Sequence, residues 1–361
     1  MPVKPIFYLY PRSKLISFRF IAENHVRELR KYFNVQTFDE KALPIIAPLA
    51  QLASRTLLLI QPYFYPVQVY ERRLLAKVGS LQRVIGVDVA DSDSISEEAV
   101  RLANYSTAMI VPSEFSRRSY VVSGVESPVH VIPHGIPDSW LYAPPSKPLT
   151  FKPLQDYKAK KGLTLIQTWA LHSEYRKGQD LAFKIFNRLL AERKDVALVL
   201  RKHSGLHVYE SPVEEQRPRP NFTVGASWLS DDQIMELCDV CDIFLLTSRG
   251  GGFEHPPLLA LARGEIAIGA KGGAWEDYLP DWALIPSHRG GLVFENNPIH
   301  DGYGVEMEMD LAVDRLCDIL DSMDEYRAKV RHHINTCVKQ RFTWGRIGGM
   351  LRDIVLTYAS G

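Results

Sequence analysis

Short apolar runs alternate with amphipathic stretches along most of the chain. In the first half the β-rich runs are PIFYL, TLLLI, RVIGVDV, TAMIV and PVHVI, and stretches such as AENHVRELRKYF and SEEAVRLANYS between them have helical periodicity. Strands that alternate with helices are typical of parallel sheets covered on both faces. The pattern therefore predicts an α/β fold built from doubly wound parallel sheets.

The alternation stops once, at residues 142–162. This stretch, YAPPSKPLTFKPLQDYKAKKG, is rich in proline and lysine and lacks a buried periodicity, so we expect a linker. After it the alternation resumes with LTLIQTW, VALVLR, NFTVG, DIFLLTS, EIAIG and GLVF. We predict two Rossmann-like domains in tandem, at residues 1–145 and 146–345.

Composition and charge narrow the class of protein. The chain has 361 residues, of which 46% are hydrophobic, and this is enough for two buried cores. Lysine plus arginine number 43 against 42 aspartate plus glutamate, so nothing in the charge predicts a nucleic-acid partner. The start of the chain lacks a signal-peptide pattern, and its most apolar region, residues 42–60, is broken by prolines and polar residues. We expect a cytoplasmic protein and leave open a peripheral contact with a membrane.

One loop places three consecutive glycines between a strand and a helix. In TSRGGGFEHPPLLALARG, residues 247–264, the glycines follow the run DIFLL and precede a helical segment. Loops after the carboxyl ends of parallel strands form the ligand crevice of open α/β sheets. Glycines there would let backbone amides and a helix N-terminus approach an anion. A tight connection without a ligand is the alternative.

A second loop places Arg176, Lys177 and Gly178 at a predicted helix start. Cations at that end oppose the helix dipole unless they share an anion with it. We therefore interpret Lys177 as a phosphate ligand, with solvated surface charge as the alternative.

The order of several motifs resembles one enzyme family. RKG, WLSDDQIMELCDVCDIFLLTS and GGFEHPPLLALARGEIAIGAKGGAWEDYL are similar to the second domain of the retaining, nucleotide-sugar-dependent glycosyltransferases of family four, which have the GT-B fold. IVPSEFSRRSYVVSGVESPVHVIPHGIPDSW resembles the end of that family's first domain, and RFTWGRIGGMLRDIVLTY resembles its closing helix. The resemblance covers most of residues 105–360. It implies two Rossmann-like domains that face a cleft, with a helix at about 346–361 packing back on the first domain.

The resemblance implies a hexosyltransferase-type reaction that retains configuration and uses no metal and no cofactor beyond the nucleotide-sugar donor. The departing diphosphate would be stabilised by cations and backbone amides. The predicted donor-side residues are Arg176, Lys177, Arg201, Gly251, Gly252, Phe253, Glu254 and Glu276.

The sequence departs from the family at a glutamate pair, where this chain has Gly251 and Leu259. We hypothesise that Glu254 takes over sugar binding and acts with Lys177 in catalysis. The alternative is that Glu254 caps the helix that follows it. For Arg201 the alternative is a surface arginine, and for Glu276 an acidic residue in the first turn of a helix.

Aspartates follow the strand RVIGVDV, at a place where the family has a histidine. We interpret Asp88 as a catalytic carboxylate, Asp91 as an acceptor-side residue and Asp93 as a helix cap. The alternative for this segment is an ordinary capping region, in which Ser94 or Ser96 starts the helix and acidic residues occupy its first turn.

Basic residues lie near the end of the first strand, and two of them, Arg12 and Lys14, are predicted acceptor-side residues. Together with Arg19 they would suit an anionic or lipid-linked acceptor. The leading interpretation is thus transfer of a sugar to a glycan, lipid or small glycoside. Two alternatives stay open: a non-catalytic protein of the same fold that binds nucleotide sugar or glycan, and a sugar-nucleotide epimerase or phosphorylase.

Overall fold

The computed structural model describes residues 5–13, 17–52, 56–78, 83–147, 149–171, 173–202, 204–213 and 229–359. The predicted strand NFTVG and the predicted site residue Lys14 lie outside these ranges. By its internal contacts the chain forms two compact units. The first comprises Met1–Gly135, Phe294–Gly302 and Arg341–Gly361, and the second comprises Ile136–Val293 and Tyr303–Gln340. The domain junction expected at residues 145 and 146 therefore falls within the second unit.

The first unit is built around a six-stranded sheet with the order β2-β1-β3-β4-β5-β6, in which all neighbouring strands are parallel. Its strands are β1 (Ile6–Tyr10), β2 (Val35–Asp39), β3 (Leu57–Ile60), β4 (Val84–Val87), β5 (Ala108–Val111) and β6 (Val129–Val131). Alternate residues of β1 enter different cores, Tyr8 on one face and Leu9 on the other. The inner strands β3, β4 and β5 read as continuous apolar runs because both faces are covered. The edge strand β2, VQTFD, was not predicted because only Val35 in it is buried.

Five helices of the first unit lie between these strands. They are α1 (Ser17–Leu29), α2 (Leu43–Leu52), α3 (Phe64–Val78), α4 (Glu97–Ala103) and α5 (Glu114–Ser123). The cap of α4 is Ser96, whose hydroxyl accepts a hydrogen bond from the amide of Ala99. The assignment of this cap to Asp93 was therefore wrong, and the nearer serine has the geometry that capping requires.

The second unit has a six-stranded sheet with the order β12-β11-β10-β7-β8-β9. Its strands are β7 (Thr164–Trp169), β8 (Val196–Lys202), β9 (Gly205–Tyr209), β10 (Ile243–Leu246), β11 (Ile266–Ala270) and β12 (Leu284–Ile285). All pairings are parallel except that of the edge strand β9 with β8. A separate antiparallel ribbon pairs β13 (Ser287–Leu292) with β14 (Tyr303–Met307). The predicted strand GLVF only overlaps the end of β13 and does not join the parallel sheet.

Eight α-helices lie in the described part of residues 138–341. They are α6 (Asp138–Tyr142), α7 (Lys152–Lys161), α8 (Gln179–Glu192), α9 (Asp231–Val240), α10 (His255–Ala262), α11 (Met309–Asp321), α12 (Met323–His333) and α13 (Lys339–Arg341). The presence of α7 shows that the expected linker was wrong. Phe151 and Leu154 are buried in the core of the second unit, and Gly162 ends α7 with a left-handed φ of 65°. Two apolar anchors among lysines were too few to give a visible period.

The last helix, α14 (Trp344–Ala359), belongs to the first unit and packs on α1. Trp344, Ile347, Leu351 and Val355 are buried in the same core as Tyr8, at the spacing of one helix face. No helix within the described ranges is long and apolar enough to cross a membrane.

Candidate functional site

The strand order of the second unit reverses between β7 and β10. The chain runs outward from β7 to β8 and β9, then crosses back to β10, β11 and β12. Loops that leave two strands at such a switch point form a crevice, and open α/β sheets bind their ligands there. Among the described residues, these loops comprise 170–171 and 173–178, after β7, and 247–254, after β10. They contain most of the predicted donor-side residues.

The two loops lie against each other at Gly178. This glycine has a φ of 66°, and a Cβ on it would stand 1.9 Å from the carbonyl oxygen of Thr247, so both its backbone and its surroundings require glycine. Hydrogen bonds join the loops on either side. The amide of Arg249 donates to the carbonyl of Arg176 at 2.7 Å, and the hydroxyl of Thr247 donates to the carbonyl of Lys177 at 3.2 Å. We refer to residues 170–171, 173–178 and 247–254 as the interlocked loops.

Lys177 and Glu254 form a buried ion pair across the interlocked loops. The Nζ of Lys177 lies 2.5 and 2.6 Å from the two carboxylate oxygens of Glu254, and the side chains are 16% and 4% exposed. The hydroxyl of Ser248 donates to Oε1 of Glu254 at 2.9 Å, and Nη1 of Arg176 lies 3.6 Å from the same oxygen. The anion that accompanies the cations at the start of α8 is thus a carboxylate of the chain itself.

Glu254 does not cap the helix that follows it. It precedes α10 with a left-handed φ of 57°, and its side chain makes no capping hydrogen bond because the carboxylate is bonded to Lys177 and Ser248. The capping interpretation was therefore wrong. Pro256 and Pro257 lie in the first turn of α10 and have no N–H group, so this helix start offers fewer amide donors to an anion than an ordinary one.

The glycine run makes room for contacts within the protein. A Cβ on Gly251 would stand 2.3 Å from Oε1 of Glu254, so glycine is needed for the carboxylate to lie there. The carbonyl of Gly250 accepts a hydrogen bond from Nη1 of Arg176 at 2.9 Å, and its oxygen lies 2.8 Å from Oγ of Ser248. Ligand contacts of Gly251 and of the next residue, Gly252, stay predictions.

Phe253 is buried beneath the second of the interlocked loops. Its ring lies 5.3 Å from that of Tyr278, centroid to centroid, and it is 3% exposed. The hydroxyl of Tyr278 donates to the carbonyl oxygen of Glu254 at 2.5 Å, and burial raises the pKa of that hydroxyl well above its usual value. These contacts hold the backbone of Glu254 in its left-handed conformation. Donor binding by Phe253 stays a prediction.

Arg249 was not selected from the sequence, although it stands directly before the glycines. It is 3% exposed and donates to both carboxylate oxygens of Asp180 at 2.7 and 2.8 Å, to Glu306 at 2.8 Å and to the carbonyl of Tyr175 at 2.7 Å. Burial lowers the pKa of its guanidinium, but the bonds to Asp180 and Glu306 more than offset this and raise it. Arg249 therefore joins the second loop to α8, to β14 and to the first loop, and its charge is balanced by Asp180 and Glu306.

Arg201 and Glu276 have other environments. Arg201, on β8, is 5% exposed, so the surface-arginine alternative was wrong. Its guanidinium lies 4.1 Å from the ring centroid of Trp169, its Nη1 has no hydrogen-bond partner among the described residues, and burial lowers its pKa to about 10. Glu276 accepts a hydrogen bond from the amide of Gly272 at 2.7 Å and so stabilises the turn after β11. Their donor-side roles stay predictions.

The sheet of the first unit has a switch point between β1 and β3. There the hydroxyl of Tyr8 donates to Oε1 of Gln61 at 2.6 Å and lies 3.0 Å from Nδ1 of His25. His25 is 1% exposed, and burial lowers its pKa to about 3. Tyr8 and Gln61 were missed because each stands beside apolar residues, which is typical of a core. His25 was missed because polar residues adjoin it on an amphipathic helix.

A small cavity of about 10 Å³, with room for about one water molecule, lies at this switch point. Residues from the ends of β3, β4, β5 and β6 and from α1 line it, among them Phe18, His25, Gln61, Asp88, Ile132 and His134. We refer to it as the first-unit cavity. It holds one of the predicted residues, Asp88.

Asp88 is bonded to the backbone around the first-unit cavity. Its carboxylate accepts hydrogen bonds from the amides of Tyr63 at 2.7 Å, Phe64 at 2.8 Å and Val89 at 2.8 Å. Burial raises its pKa to about 7, although these three bonds act in the opposite direction. Asp88 thus anchors the start of α3 to the end of β4, and its catalytic role stays a prediction.

Two predicted acceptor-side residues bond to nearby chain segments. Arg12 is exposed; its amide donates to the carboxylate of Asp39 at 3.1 Å and its Nη1 donates to the carbonyl of Thr37 at 3.4 Å. The amide of Asp91 donates to Nδ1 of His300 at 3.4 Å. The structure therefore brings together Arg176, Lys177, Gly251 and Glu254, and it places Asp88 in the first-unit cavity.

Comparison with solved structures places the fold. The chain is similar to HepE (Alr3699) of Anabaena, solved in complex with UDP and glucose, with a TM-score of 0.68 and 15% identity over 98% of this chain and 100% of that chain. It is also similar to sucrose-phosphate synthase from Thermosynechococcus elongatus, with a TM-score of 0.64 and 11% identity over 99% and 100% of the two chains. At these identities the likeness concerns the fold. The fold is GT-B, with a Rossmann-like doubly wound sheet in each unit.

Sequence comparison finds relatives among viral proteins. No protein-family model matches the chain. The chain is 28% identical over 240 residues to "Putative glycosyltransferase 45" of the Sulfolobus islandicus filamentous virus, which covers 63% of this chain and 61% of that protein. It is 32% identical over 372 residues to "Uncharacterized protein 356" of Sulfolobus islandicus rod-shaped virus 1, which covers 99% of both. The chain belongs to the family of this rod-shaped-virus protein.

Proposed function

We propose that this protein is a glycosyltransferase that moves a sugar from a nucleotide-sugar donor to a glycan, lipid or small glycoside, with retention of configuration and without a metal. The observation that carries the proposal is the pair of interlocked loops, where Arg176 and Lys177 lie beside the glycine run at a switch point. The fold shared with HepE, which was solved with UDP and glucose, and the likeness to the filamentous-virus protein support it.

Lys177 is the proposed ligand of the donor phosphates, with Arg176 beside it. An ammonium group has three N–H donors, so Lys177 can bond to Glu254 and to a phosphate oxygen at the same time. Cations fixed in this way stabilise the negative charge that develops on a departing diphosphate, and they need no rearrangement when it forms. In this proposal Glu254 positions the ammonium.

Glu254 is also the proposed ligand of the donor sugar. Its carboxylate has about four lone-pair sites, and Lys177 and Ser248 are its close hydrogen-bond donors. A sugar hydroxyl could donate to a remaining site. This proposal deepens the role predicted for Glu254 and assigns no donor contact to Leu259, which is buried.

The test is a calorimetric panel of UDP-, GDP-, ADP- and TDP-sugars, with UDP-glucose first. Wild type should bind one donor, and Lys177→Ala should bind it at least tenfold more weakly. Because Lys177→Ala leaves the carboxylate of Glu254 buried without its cation, the matched control is the double variant Lys177→Ala/Glu254→Gln, which carries neither charge. If the double variant recovers wild-type affinity, Lys177 serves only Glu254 and the phosphate role is refuted.

A non-catalytic binding protein is the second candidate. It is favoured by the ion pair itself, since the carboxylate nearest the glycine run is bonded to Lys177. Single-turnover product analysis with the donor found in the panel separates the two candidates. Transfer or slow hydrolysis that depends on Lys177 supports the enzyme, whereas tight binding without any product supports the binding protein.

A further inference from the structure

Glu254 has an unusual backbone for a residue with a side chain. Its φ of 57° lies in the left-handed region, where a Cβ is strained. Four non-glycine residues in the described part of the chain have a positive φ, and Glu254 is the buried one; the others are Arg83, Ser173 and Asn296. Strained conformations persist only where their surroundings determine them, and they cluster at functional sites. The contacts that hold Glu254 are therefore informative about the role of its loop.

Tyr278 bonds to the strained backbone itself. Its hydroxyl donates to the carbonyl oxygen of Glu254 at 2.5 Å, and since a carbonyl only accepts, the single phenolic proton is committed to that bond. Tyr278 is buried, and burial raises the pKa of its hydroxyl well above the usual value, so the proton stays on the oxygen near neutral pH. One bond thus fixes the direction of the peptide group between Glu254 and His255.

Tyr278 is itself held from two directions. Its amide donates to the carbonyl of Trp275 at 3.1 Å, and the buried Trp275 donates its Nε1–H to the carbonyl of Ala270. The carbonyl of Tyr278 accepts a hydrogen bond from Nε2 of His333, at the end of α12, at 2.7 Å. Because its backbone is anchored on both sides, the phenol has little freedom to follow Glu254 if that residue moves.

The carboxylate of Glu254 depends on the same backbone. Its Oε1 lies 2.3 Å from the place that a Cβ on Gly251 would occupy, and the two oxygens lie 2.5 and 2.6 Å from Nζ of Lys177. The direction of a side chain is set by the backbone that carries it. If Glu254 relaxed to an ordinary negative φ, its carboxylate would turn away and Lys177 would lose its anion.

We propose that Tyr278 is a positioning residue of the site formed by the interlocked loops. Its hydroxyl holds Glu254 in the conformation that directs the carboxylate to Lys177, and this fixes the ammonium group where a phosphate can meet it. Tyr278 acts through Glu254 and is assigned no contact with the donor. The inference rests on the proposed function only in naming the ligand of Lys177 as a donor phosphate.

The first experiment needs no ligand. Solvent exchange of the ammonium protons of Lys177 is measured by NMR on the full chain with ¹⁵N-labelled lysine, because an ammonium that is 16% exposed and fixed in an ion pair exchanges slowly. Tyr278→Phe keeps the ring and removes only the hydroxyl. We expect it to speed the exchange roughly fivefold, the equivalent of one ordinary hydrogen bond.

Tyr63→Phe is the matched control. The hydroxyl of Tyr63 is also buried and donates to a backbone carbonyl, that of Leu102, at 2.8 Å, but Tyr63 belongs to the first unit. The exchange rate of Lys177 should stay at the wild-type value in this variant. Wild-type exchange in Tyr278→Phe, or the same acceleration in both variants, would overturn the proposal.

A double variant tests whether Tyr278 acts through the carboxylate. Glu254→Gln removes the charge that holds Lys177, so adding Tyr278→Phe in that background should change the exchange rate by less than about twofold. A further increase of roughly fivefold there would mean that the hydroxyl stiffens the fold without acting through the carboxylate, and the positioning role would be refuted.

Calorimetry with the same panel of UDP-, GDP-, ADP- and TDP-sugars separates this inference from the proposed function. We expect Tyr278→Phe to bind the donor roughly fivefold more weakly and Tyr63→Phe to bind it as wild type does. If wild type binds none of these sugars but exchange at Lys177 responds as expected, the proposed function fails and the positioning of Lys177 stands. If exchange responds and donor affinity does not, the proposed function stands and Tyr278 has no positioning role in binding.

Discussion

The two switch points of this protein have the same topology and opposite chemistry. In the second unit the crevice contains ion pairs: Lys177 is bonded to the buried Glu254, and the buried Arg249 is bonded to the exposed carboxylate of Asp180. In the first unit the equivalent position contains a neutral chain of Tyr8, Gln61 and His25. The fold supplies two switch points, and the side chains at each decide that one is charged and the other neutral.

Removing the cation should have the largest effect on the charged switch point. Lys177→Ala leaves the carboxylate of Glu254 buried beside Ser248 and Arg176, and we expect a loss of about 3 kcal/mol in the free energy of unfolding. Urea denaturation measures it. In Lys177→Ala/Glu254→Gln the loss should fall to about 1 kcal/mol, because the carboxylate is removed together with its nearest cation. If the single and the double variant lost the same free energy of unfolding, Lys177 and Glu254 would not stabilise each other.

The contact between the interlocked loops should come next. Gly178→Ala adds both a strained left-handed residue and a clash with the carbonyl of Thr247, so we expect a loss of about 3 kcal/mol or slightly less. Gly162→Ala is the matched control, since Gly162 has a similar φ of 65° but nothing within 4 Å of an added Cβ. Its loss should be about 1 kcal/mol, from strain alone. Similar values for both would mean that the loops do not press on each other at Gly178.

At the neutral switch point, His25 should make the stability of the protein depend on pH. His25 has a lowered pKa, so the unfolded chain binds a proton below about pH 6.5 that the folded chain does not. His25 therefore stabilises the fold above that pH, and we expect its contribution to the free energy of unfolding to fall by about 2 kcal/mol between pH 6.5 and 5, as the difference between wild type and His25→Asn. Denaturation at several pH values measures the difference between the two proteins.

Asp88 should act in the opposite direction over the same range. Its pKa is raised to about 7, so the stability that it contributes is present below about pH 4 and is lost as the pH rises to about 7. In wild type the two effects partly cancel between pH 4 and 6.5. Asp88→Asn should uncover the acid sensitivity of His25 as a steeper fall in stability on acidification. A parallel curve for Asp88→Asn would show that the carboxylate is already ionised.

The smallest expected effect concerns Arg201, the buried cation beyond the ion pairs. Arg201→Lys replaces a flat group stacked 4.1 Å from Trp169 with a compact one, so we expect a loss of about 1 kcal/mol in stability. Calorimetry of the same variant tests its donor role. An unchanged donor affinity would leave Arg201 with a packing function only.

Most strands of the two sheets could be predicted from the sequence, whereas the side-chain contacts of the candidate site could not. The strands of both units appear as apolar runs, since burial on both faces leaves a local signal. The position of Lys177 and Arg176 at a helix start could likewise be read from the chain. That their shared anion would be Glu254 could not, because this depends on loops 77 residues apart meeting at Gly178.

The errors have physical causes of the same kind. Helix α7 was taken for a linker because only Phe151 and Leu154 anchor it among polar residues. His25 was overlooked because one histidine on an amphipathic helix does not reveal what its ring contacts. Only the distance from its Nδ1 to the hydroxyl of Tyr8 provides that information.

The ion pairs of the interlocked loops also affect how a ligand would arrive. The cations and carboxylates there are equal in number: Arg176, Lys177 and Arg249 against Asp180, Glu254 and Glu306. Their fields largely cancel beyond a few ångströms, so the crevice has little power to attract an anion from a distance. Association should then be governed by ordinary diffusion and vary little with ionic strength, and discrimination between ligands would begin only once they touch the loops.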